Sequence, residues 1–596
     1  MAMHPIRPSQ EEATSPDREP HTTIDRRTFL QLGAAAGAGA SLLGWATKAG
    51  AEAADAAREA LQGDIEVEEH TIAEMQAKME SGELTSRRLV HNYLRRIQHV
   101  DEQLGLNSVL VTNPEADEIA RELDIERQTI GPRGPLHGIP ILLKDNIDTH
   151  DQMMTTAGSL ALVGTPALLD ATVTQRLRDA GAVILGKTNL SEWANFRGFA
   201  SSSGWSGFGG QTNNPYILDR NPCGSSSGSG AAVSASLCAA ALATETDGSV
   251  VCPASQCGVV GIKPTVGLTS RAGVVPISHT QDTVGVHGRT VGDAAAVLGA
   301  LTGVDPRDPQ TQASEGHFYT DYTQFVDPAG LQGARIGIAR QFLPSTTETD
   351  AVFEAAVQTL RDAGADVVDP VEIPTFDEFF ADPSEIIVLV YEFKRDVNAY
   401  LATRTGIPVA TMADCIQFNL DHFDEELQFF GQEWMELSED DTYSQDEYEQ
   451  ALITGPALAG AGGIDATLAN YGVDAIVAPT NTPAWPNDVI NGDAFLFGSS
   501  SFAAVAGYPL VTVPMGNVYD LPVGITFMAS AWSEPTLIRL AAGFEAAAQA
   551  RRSPRYLRTF NEENPGSQRR LARVWPGRNR QGLKRMLRTL RRPFFL

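Results

Sequence analysis

The chain has 596 residues, of which 42% are hydrophobic and 20% are charged. This balance is typical of a globular protein that is long enough to bury a substantial core. The formal net charge is −29. The part between residues 51 and 550 is more negative still, because residues 551–596 hold 14 basic residues against two acidic ones. A body this acidic repels nucleic acid, so nucleic-acid binding is excluded as a function.

Arginine supplies nearly all of the positive charge, since only seven residues of the chain are lysines. An acidic surface that is poor in lysine suits a salt-rich habitat, where screening removes the self-repulsion of the acidic groups. We therefore expect a salt-adapted, halophilic protein. An acidic protein from an ordinary habitat is the alternative.

The N-terminal region contains the stretch "TTIDRRTFLQLGAAAGAGASLLGWATKAGAEA". Arg26 and Arg27 precede Phe29, Leu30 and a mildly apolar segment rich in alanine and glycine, which resembles a twin-arginine export signal. Residues 1–51 are therefore predicted to be a signal peptide and linker. The export machinery would be a partner, and the location would be extracellular, periplasmic or at the cell surface. An uncleaved membrane anchor and a cytosolic helix are the alternatives.

Helical and strand patterns alternate beyond this segment. Apolar runs at residues 139–143 and 182–185 predict buried strands, and the second run follows a helical pattern that breaks at Gly181. A similar helix and strand recur within residues 351–370. Further strands are predicted at residues 335–339, 474–478, 510–513 and 523–528. The alternation predicts a layered α/β fold.

Two segments differ from this pattern. Residues 377–450 are rich in acidic and aromatic residues with helical spacing and are predicted to be a helical insertion. The insertion either covers a pocket or forms a solvated acidic helical pair. Residues 560–596 form a basic C-terminal tail, for which contact with an anionic membrane, docking on the acidic body and disorder all stay open.

The cysteine pattern argues against metal binding. The chain has five cysteines, an odd number, without C-x-x-C spacing, so neither a zinc site nor a disulfide framework is expected. We expect most of them to be small buried residues. Whether any two of them form a disulfide is left open.

The stretch "CGSSSGSGAA", from Cys223 to Ala232, allows several interpretations. A tract of glycine and serine can be a flexible linker. Residues 224–228 also match the G-x-S-x-G pattern of a nucleophile elbow centred on Ser226. The elbow is disfavoured because the preceding residues are polar and proline-rich and because no histidine follows His422.

A longer pattern explains the same stretch better. Residues 221–278, which begin "NPCGSSSGSG" and include "ETDGSVVCPA" and "SHTQDT", together with "LLKDNID" upstream, resemble the amidase-signature family from about Thr71 to about Arg558. Within that family they are most similar to the bacterial peptide amidases, which remove the terminal amide from C-terminally amidated peptides. The resemblance implies a catalytic domain at residues 65–559, with a large central mixed β-sheet flanked by α-helices.

The resemblance also implies a Ser-cisSer-Lys catalytic triad. Lys144 matches the lysine, Ser225 the bridging serine after a cis peptide bond, and Ser249 the nucleophile, with Ser226 as a supporting residue. Chemistry agrees with this assignment, because a lysine at the end of an apolar strand can be buried, and burial lowers its pKa until the amine accepts a proton. Ser225 would relay the proton, since a hydroxyl both donates and accepts.

The family's oxyanion hole maps onto the backbone N–H groups of Thr246, Asp247, Gly248 and Ser249. The sequence departs from the commonest family pattern here, because Asp247 replaces a glycine, Glu245 an aspartate and Val251 an arginine. These changes put the donor geometry and the nearby charge in question. The resemblance implies no metal and no organic cofactor, and the substrate would be a small-molecule or peptide amide.

Three other functions share these features: a general aliphatic or aryl amidase, the amidase component of a tRNA-dependent amidotransferase, and an inactive exported binding protein. The export signal, the acidic body and "ETDGS" speak against the amidotransferase. Four aromatic residues are candidates for lining a substrate pocket, although core packing explains them equally well. They are Phe196, Phe199, Trp205 and Phe208.

Overall fold

The computed structural model describes residues 67–560. The predicted signal peptide at residues 1–51 and nearly all of the basic tail at 560–596 lie outside the described residues, and both stay predictions. Within residues 67–560, no helix is both long enough and apolar enough to cross a membrane.

An 11-stranded sheet organises the fold. The strands are β1 (Val109–Thr112), β2 (Pro140–Lys144), β3 (Val183–Thr188), β4 (Trp205–Ser206), β5 (Gly210–Gln211), β6 (Ala240–Glu245), β7 (Val260–Lys263), β8 (Thr283–Gly288), β9 (Arg335–Ala339), β10 (Asp366–Val371), β11 (Ala475–Pro479), β12 (Leu510–Val518) and β13 (Leu521–Met528). The sheet order is β1-β3-β2-β6-β8-β7-β12-β13-β11-β9-β10, and β4 pairs with β5 separately.

The sheet is mixed. β2 runs parallel to β3 and β6, and β9 runs parallel to β10 and β11, whereas the pairs between β6 and β13 are antiparallel. The strands predicted from apolar runs are confirmed, with ends that shift by one to five residues. The predicted α/β fold with a large central mixed sheet is therefore confirmed.

Helices cover the sheet. The α-helices of the described residues are α1 (Ile72–Ser81), α2 (Ser86–Arg96), α3 (Ala116–Thr129), α4 (Thr172–Asp179), α5 (Ser227–Ser234), α6 (Val251–Gln256), α7 (Val291–Leu301), α8 (Thr347–Asp362), α9 (Phe376–Phe379), α10 (Ser384–Leu401), α11 (Met412–Asp421), α12 (Phe423–Glu426), α13 (Glu433–Glu439), α14 (Gln445–Pro456), α15 (Ala466–Tyr471), α16 (Ser501–Ala506) and α17 (Glu534–Ala548). π-helical turns follow α2 at Ile97–Glu102 and α14 at Ala457–Asp465.

Two buried parallel strands place the candidate site. All five residues of β2 and all six of β6 are buried, as expected of strands covered on both faces. Leu143 of β2 lies opposite Leu242 of β6. Because the two strands are parallel, the side chains that follow their apolar residues meet at one edge of the sheet. Lys144 ends β2 there, and Thr244 and Glu245 end β6.

The acidic segment predicted to be helical forms α9 to α14. It does not lie free in solvent, because Phe393 and Met435 pack in one buried cluster with Trp193 and Phe196. The segment therefore covers residues near the candidate site, which is the first of the two alternatives. Its status as an insertion stays a prediction.

The cysteines correct one expectation. Cys223 and Cys252 form a disulfide with their Cα atoms 5.9 Å apart, whereas Cys238, Cys257 and Cys415 are free and buried. No disulfide framework exists among the described residues, but one bridge does. Sequence spacing carried no signal for it, because the fold alone brings the loop before Ser225 beside the start of α6.

Candidate active site

Lys144 is fully buried and fully hydrogen-bonded. Its Nζ donates to the Ser225 hydroxyl at 2.8 Å, to the Thr244 hydroxyl at 2.8 Å and to the Thr244 carbonyl at 3.3 Å. Burial lowers the pKa of Lys144 to about 7, although the negative charges of Asp282 and Glu245 act in the opposite direction. A neutral amine that can accept a proton is thus available near neutral pH, as expected from its position at the end of an apolar strand.

The glycine- and serine-rich tract is a packed structure. The Gly224–Ser225 peptide bond is cis, as the resemblance implies, and residues 221–230 are all buried. A Cβ atom at Gly224 would collide with the Ser191 hydroxyl, and the Ser225 carbonyl accepts the Ser191 N–H at 3.0 Å. The linker interpretation is therefore wrong.

Ser226 supports its surroundings. Its hydroxyl donates to the Thr244 carbonyl at 3.0 Å and accepts the Thr244 N–H at 3.3 Å. The residues before it form no strand, although a nucleophile elbow requires one. The elbow interpretation fails on both counts.

Ser249 lies in the loop between β6 and α6. Its carbonyl accepts the Ser226 N–H at 3.3 Å, which fixes this loop against the serine tract. Gly248 has a φ of +76°, a left-handed conformation that favours glycine. No hydrogen bond joins the hydroxyls of Ser225 and Ser249 in the described part of the chain.

Glu245 explains how the loop is held without the family's usual arginine at position 251. Its Oε2 accepts the N–H of Val250 at 2.6 Å and the N–H of Val251 at 3.0 Å. The carboxylate therefore anchors both ends of the turn that carries Ser249. The replacement of aspartate by glutamate leaves this backbone contact in place.

Two residues of the site escaped the sequence analysis. The Thr244 hydroxyl accepts from both Lys144 and the Asn146 side-chain amide, the latter at 3.0 Å. Asp282 accepts from the Thr246 hydroxyl at 2.6 Å and from the Ile277 N–H at 2.8 Å, and burial raises the pKa of Asp282 to about 6. Both stand in or beside the quoted motifs, but no sequence pattern assigned them a contact.

A cavity of about 320 Å³ opens at Ser249. The predicted oxyanion residues Thr246, Asp247 and Gly248 line it together with Ser249 and Gly224.

Aromatic residues form part of the cavity wall. Phe196 and Phe199 line it, and Trp434 of α13 stacks on Phe196 with ring centroids 5.1 Å apart. Trp205 and Phe208 are absent from the lining, because Trp205 packs under Arg197 and against the Phe430 ring. Two of the four aromatic candidates are thus placed in the cavity.

One cluster outside the cavity has the composition of a metal site. His279, Glu392 and Asp396 bring potential ligand atoms within 4.8 Å of one another. Arg395 Nη2 lies 2.9 Å from His279 Nδ1, and Glu392 accepts the Tyr448 hydroxyl at 2.6 Å. A cation and a network of hydrogen bonds already satisfy these groups, so we assign no metal here.

A family model described as Amidase matches residues 88–538. The chain therefore belongs to the amidase family that carries the amidase signature, and it is an amide hydrolase. Particular relatives refine this class. The solved structure of the peptide amidase PAM with the competitive inhibitor chymostatin is 50% identical with a TM-score of 0.79, and the match covers 82% of this chain and 100% of that one.

Other relatives are similar over most of their length. The native peptide amidase from Stenotrophomonas maltophilia is 49% identical with a TM-score of 0.78, and the match covers 82% of this chain and 99% of that chain. A protein of Arabidopsis thaliana described as a probable amidase is 41% identical, with coverage of 83% and 93%. A glutamyl-tRNA(Gln) amidotransferase subunit of Halorhodospira halophila is 32% identical, with coverage of 79% and 95%.

Proposed function

We propose that this protein removes the terminal amide from C-terminally amidated peptides and releases ammonia, using Lys144, Ser225 and Ser249. The observation that carries the proposal is the hydrogen bond from the buried Lys144 amine to Ser225, beside the cavity that Ser249 lines. The similarity to peptide amidases supports the substrate class.

The reaction begins with Ser249. Its oxygen forms a bond to the amide carbon while its proton passes to Ser225 and the proton of Ser225 passes to the neutral Lys144 amine. Backbone N–H groups of residues 246–249 stabilise the negative oxygen of the tetrahedral intermediate. The C–N bond then breaks, and the nitrogen leaves as ammonia with a proton returned through Ser225.

Hydrolysis of the acyl-enzyme completes the cycle. Water attacks the acyl carbon, and its proton travels along the same relay in the same direction. The ester bond to Ser249 breaks, the serine recovers its proton, and a carboxylic acid leaves. No group other than the three side chains, the backbone N–H donors and water takes part in this scheme.

The test is ammonia release from amidated dipeptides, free amino-acid amides and simple aliphatic amides, without tRNA or any partner. We expect release mainly from the amidated dipeptides. Ser249→Ala and Lys144→Ala should each lower the rate by about 10³-fold or more, since linked catalytic groups act as a unit. Ser227→Ala is the matched control, because that hydroxyl donates to the Cys223 carbonyl at 2.6 Å and lies outside the relay.

Each pattern of release has a distinct meaning. Release from the simple amides alone would keep the mechanism and make the protein a general amidase. Undiminished release by Ser249→Ala protein would overturn the mechanism. No release from any amide would return the inactive binding protein as the better explanation.

We also propose that the protein is exported by the twin-arginine route and is adapted to salt. The Cys223–Cys252 disulfide supports export, because disulfides persist in oxidising compartments. Burial of Lys144, Lys187 and Lys263 supports salt adaptation, because it leaves the described surface with little lysine. Protein recovered outside the cells should lack about the first 50 residues, whereas intact protein confined to the cytosol would contradict export.

A further inference from the structure

Charge is distributed unevenly around the substrate cavity. Among the residues that line it, Asp247 and Asp493 are acidic and none is lysine or arginine. Lys263 lies nearby, but its amine donates to the Tyr508 carbonyl at 2.7 Å and it does not line the cavity. A carboxylate that enters this cavity therefore meets negative charge and no cation.

The two acidic residues differ in their hydrogen bonds. Asp493 accepts from the Ser203 N–H at 3.0 Å and from the Trp485 indole at 3.1 Å, so it holds two loops together. Asp247 accepts from the Ser501 hydroxyl at 2.7 Å through one oxygen, while its buried Oδ1 has no partner. The charge of Asp247 is therefore the less neutralised of the two.

A second acid keeps the charge of Asp247 in place. Burial and the neighbouring charge of Asp247 raise the pKa of Glu385 well above its ordinary value, so Glu385 holds a proton where Asp247 does not. Burial also raises the pKa of Asp247, but hydrogen bonds from Ser500 and Ser501 act in the opposite direction. Glu385 accepts from the Gln281 amide at 3.1 Å. The pair thus carries one negative charge near neutral pH, two residues before Ser249.

We propose that Asp247 is a specificity-determining residue that restricts the cavity to acyl groups ending in a neutral amide and repels the same peptide as a free acid. The inference rests on the proposed function and adds the residue that enforces it. Hydrolysis turns a neutral amide into a carboxylate bound at Ser249. Like charges so close in a poorly screened cavity repel each other strongly, so the product is expelled and free-acid peptides are rejected as competitors.

The same charge explains which bond is cleaved. An enzyme that removes C-terminal amino acids must hold a free carboxylate, and Arg or Lys is the side chain that binds one well. This cavity offers Asp247 instead. A peptide ending in –CONH₂ enters without that penalty, and its leaving group is ammonia.

The test compares an N-acetylated dipeptide amide as substrate with the same dipeptide as the free acid, used as an inhibitor. In the wild type the acid should inhibit weakly relative to the KM of the amide. In Asp247→Asn the ratio of the acid's inhibition constant to that KM should fall about 10- to 100-fold, since one like-charge repulsion is removed. Ser501→Ala is the matched control, because it removes a hydrogen bond from Asp247 but keeps the charge, and its ratio should stay near the wild-type value.

Calorimetry separates this inference from the proposed function. The free acid is titrated into Ser249→Ala protein and into Ser249→Ala/Asp247→Asn and Ser249→Ala/Asp247→Ala proteins, none of which needs to turn over. Tighter binding of the acid to both double variants supports the role of Asp247. Equal binding in all three proteins overturns it, even where the wild type releases ammonia. Tighter binding without ammonia release from wild-type protein would overturn the proposed function alone.

Discussion

Lys144 shows how one buried side chain is made chemically useful. A charged amine is costly to bury, so the apolar strand β2 favours the neutral form. Two hydroxyls, from Ser225 and Thr244, hold its nitrogen at 2.8 Å each. The negative charge of Asp282 raises the pKa again, so that it lies at about 7. The amine is therefore poised between its two forms near neutral pH.

We predict that kcat/KM falls as the pH drops through about 7, because protonated Lys144 cannot accept the proton of Ser225. The rate should stay level above that pH until other groups titrate. Asp282→Asn removes a charge that raises the pKa of Lys144, so the acid limb of the profile should move to lower pH. The measurement is kcat/KM against pH for both proteins, and a limb that moves upward in the variant would contradict the assigned role of Asp282.

A buried ion cluster attaches the helical segment to the cavity wall. Arg197 is fully buried and donates to Glu192 at 2.8 Å, and it lies 3.5 Å from Glu426 of α12. Its guanidinium also stacks over the Phe430 ring at 4.1 Å. Burial and the charge of Glu192 raise the pKa of Glu426 to about 9, so one cation faces one carboxylate and one neutral acid. The cluster holds residues 192–199, including Phe196, beside the helices that cover the cavity.

We predict that Arg197→Met lowers the free energy of unfolding by about 3 to 5 kcal/mol, because it leaves a buried carboxylate without its partner. Urea unfolding followed by tryptophan fluorescence gives this value, and KM should rise because Phe196 loses its support. Arg121→Met is the control, because Arg121 pairs with Glu118 on the exposed face of a helix, where ion pairs contribute little. Equal stability of the two variants would contradict a structural role for the buried cluster.

The whole molecule carries a net charge of −29, and its lysines are placed unusually. Three of the lysines in the described residues, Lys144, Lys187 and Lys263, are fully buried. Surface acids therefore have mainly arginine for compensation. Self-repulsion among the uncompensated acids destabilises the folded state unless salt screens it.

We predict that the melting temperature rises between about 0.1 M and about 1 M NaCl, since the Debye length falls from about 10 Å to about 3 Å in that range. A variant with Gln in place of the exposed Glu80, Glu102 and Glu122 should gain less from the same salt. Calorimetry on both proteins measures the two slopes. A wild-type melting temperature that is independent of salt would argue against salt adaptation.

The sequence alone determined the features that depend on neighbouring residues and on long motifs. Apolar runs indicated the strands, because a strand covered on both faces must be apolar along its length. The signature from Asn221 to Ser278 indicated the family and pointed to Lys144, Ser225 and Ser249. Burial of Lys144 also followed from the apolar run before it.

Only the tertiary structure decided the contacts that join distant parts of the chain. Thr244 meets Lys144 across 100 residues of sequence, because β2 and β6 are neighbours in the sheet. The Cys223–Cys252 disulfide, the support of Asp247 by Ser501 and the choice of Phe196 over Trp205 for the cavity wall arise in the same way. No local pattern carries them, because a residue's own periodicity states which face it occupies and not which distant residue will cover that face.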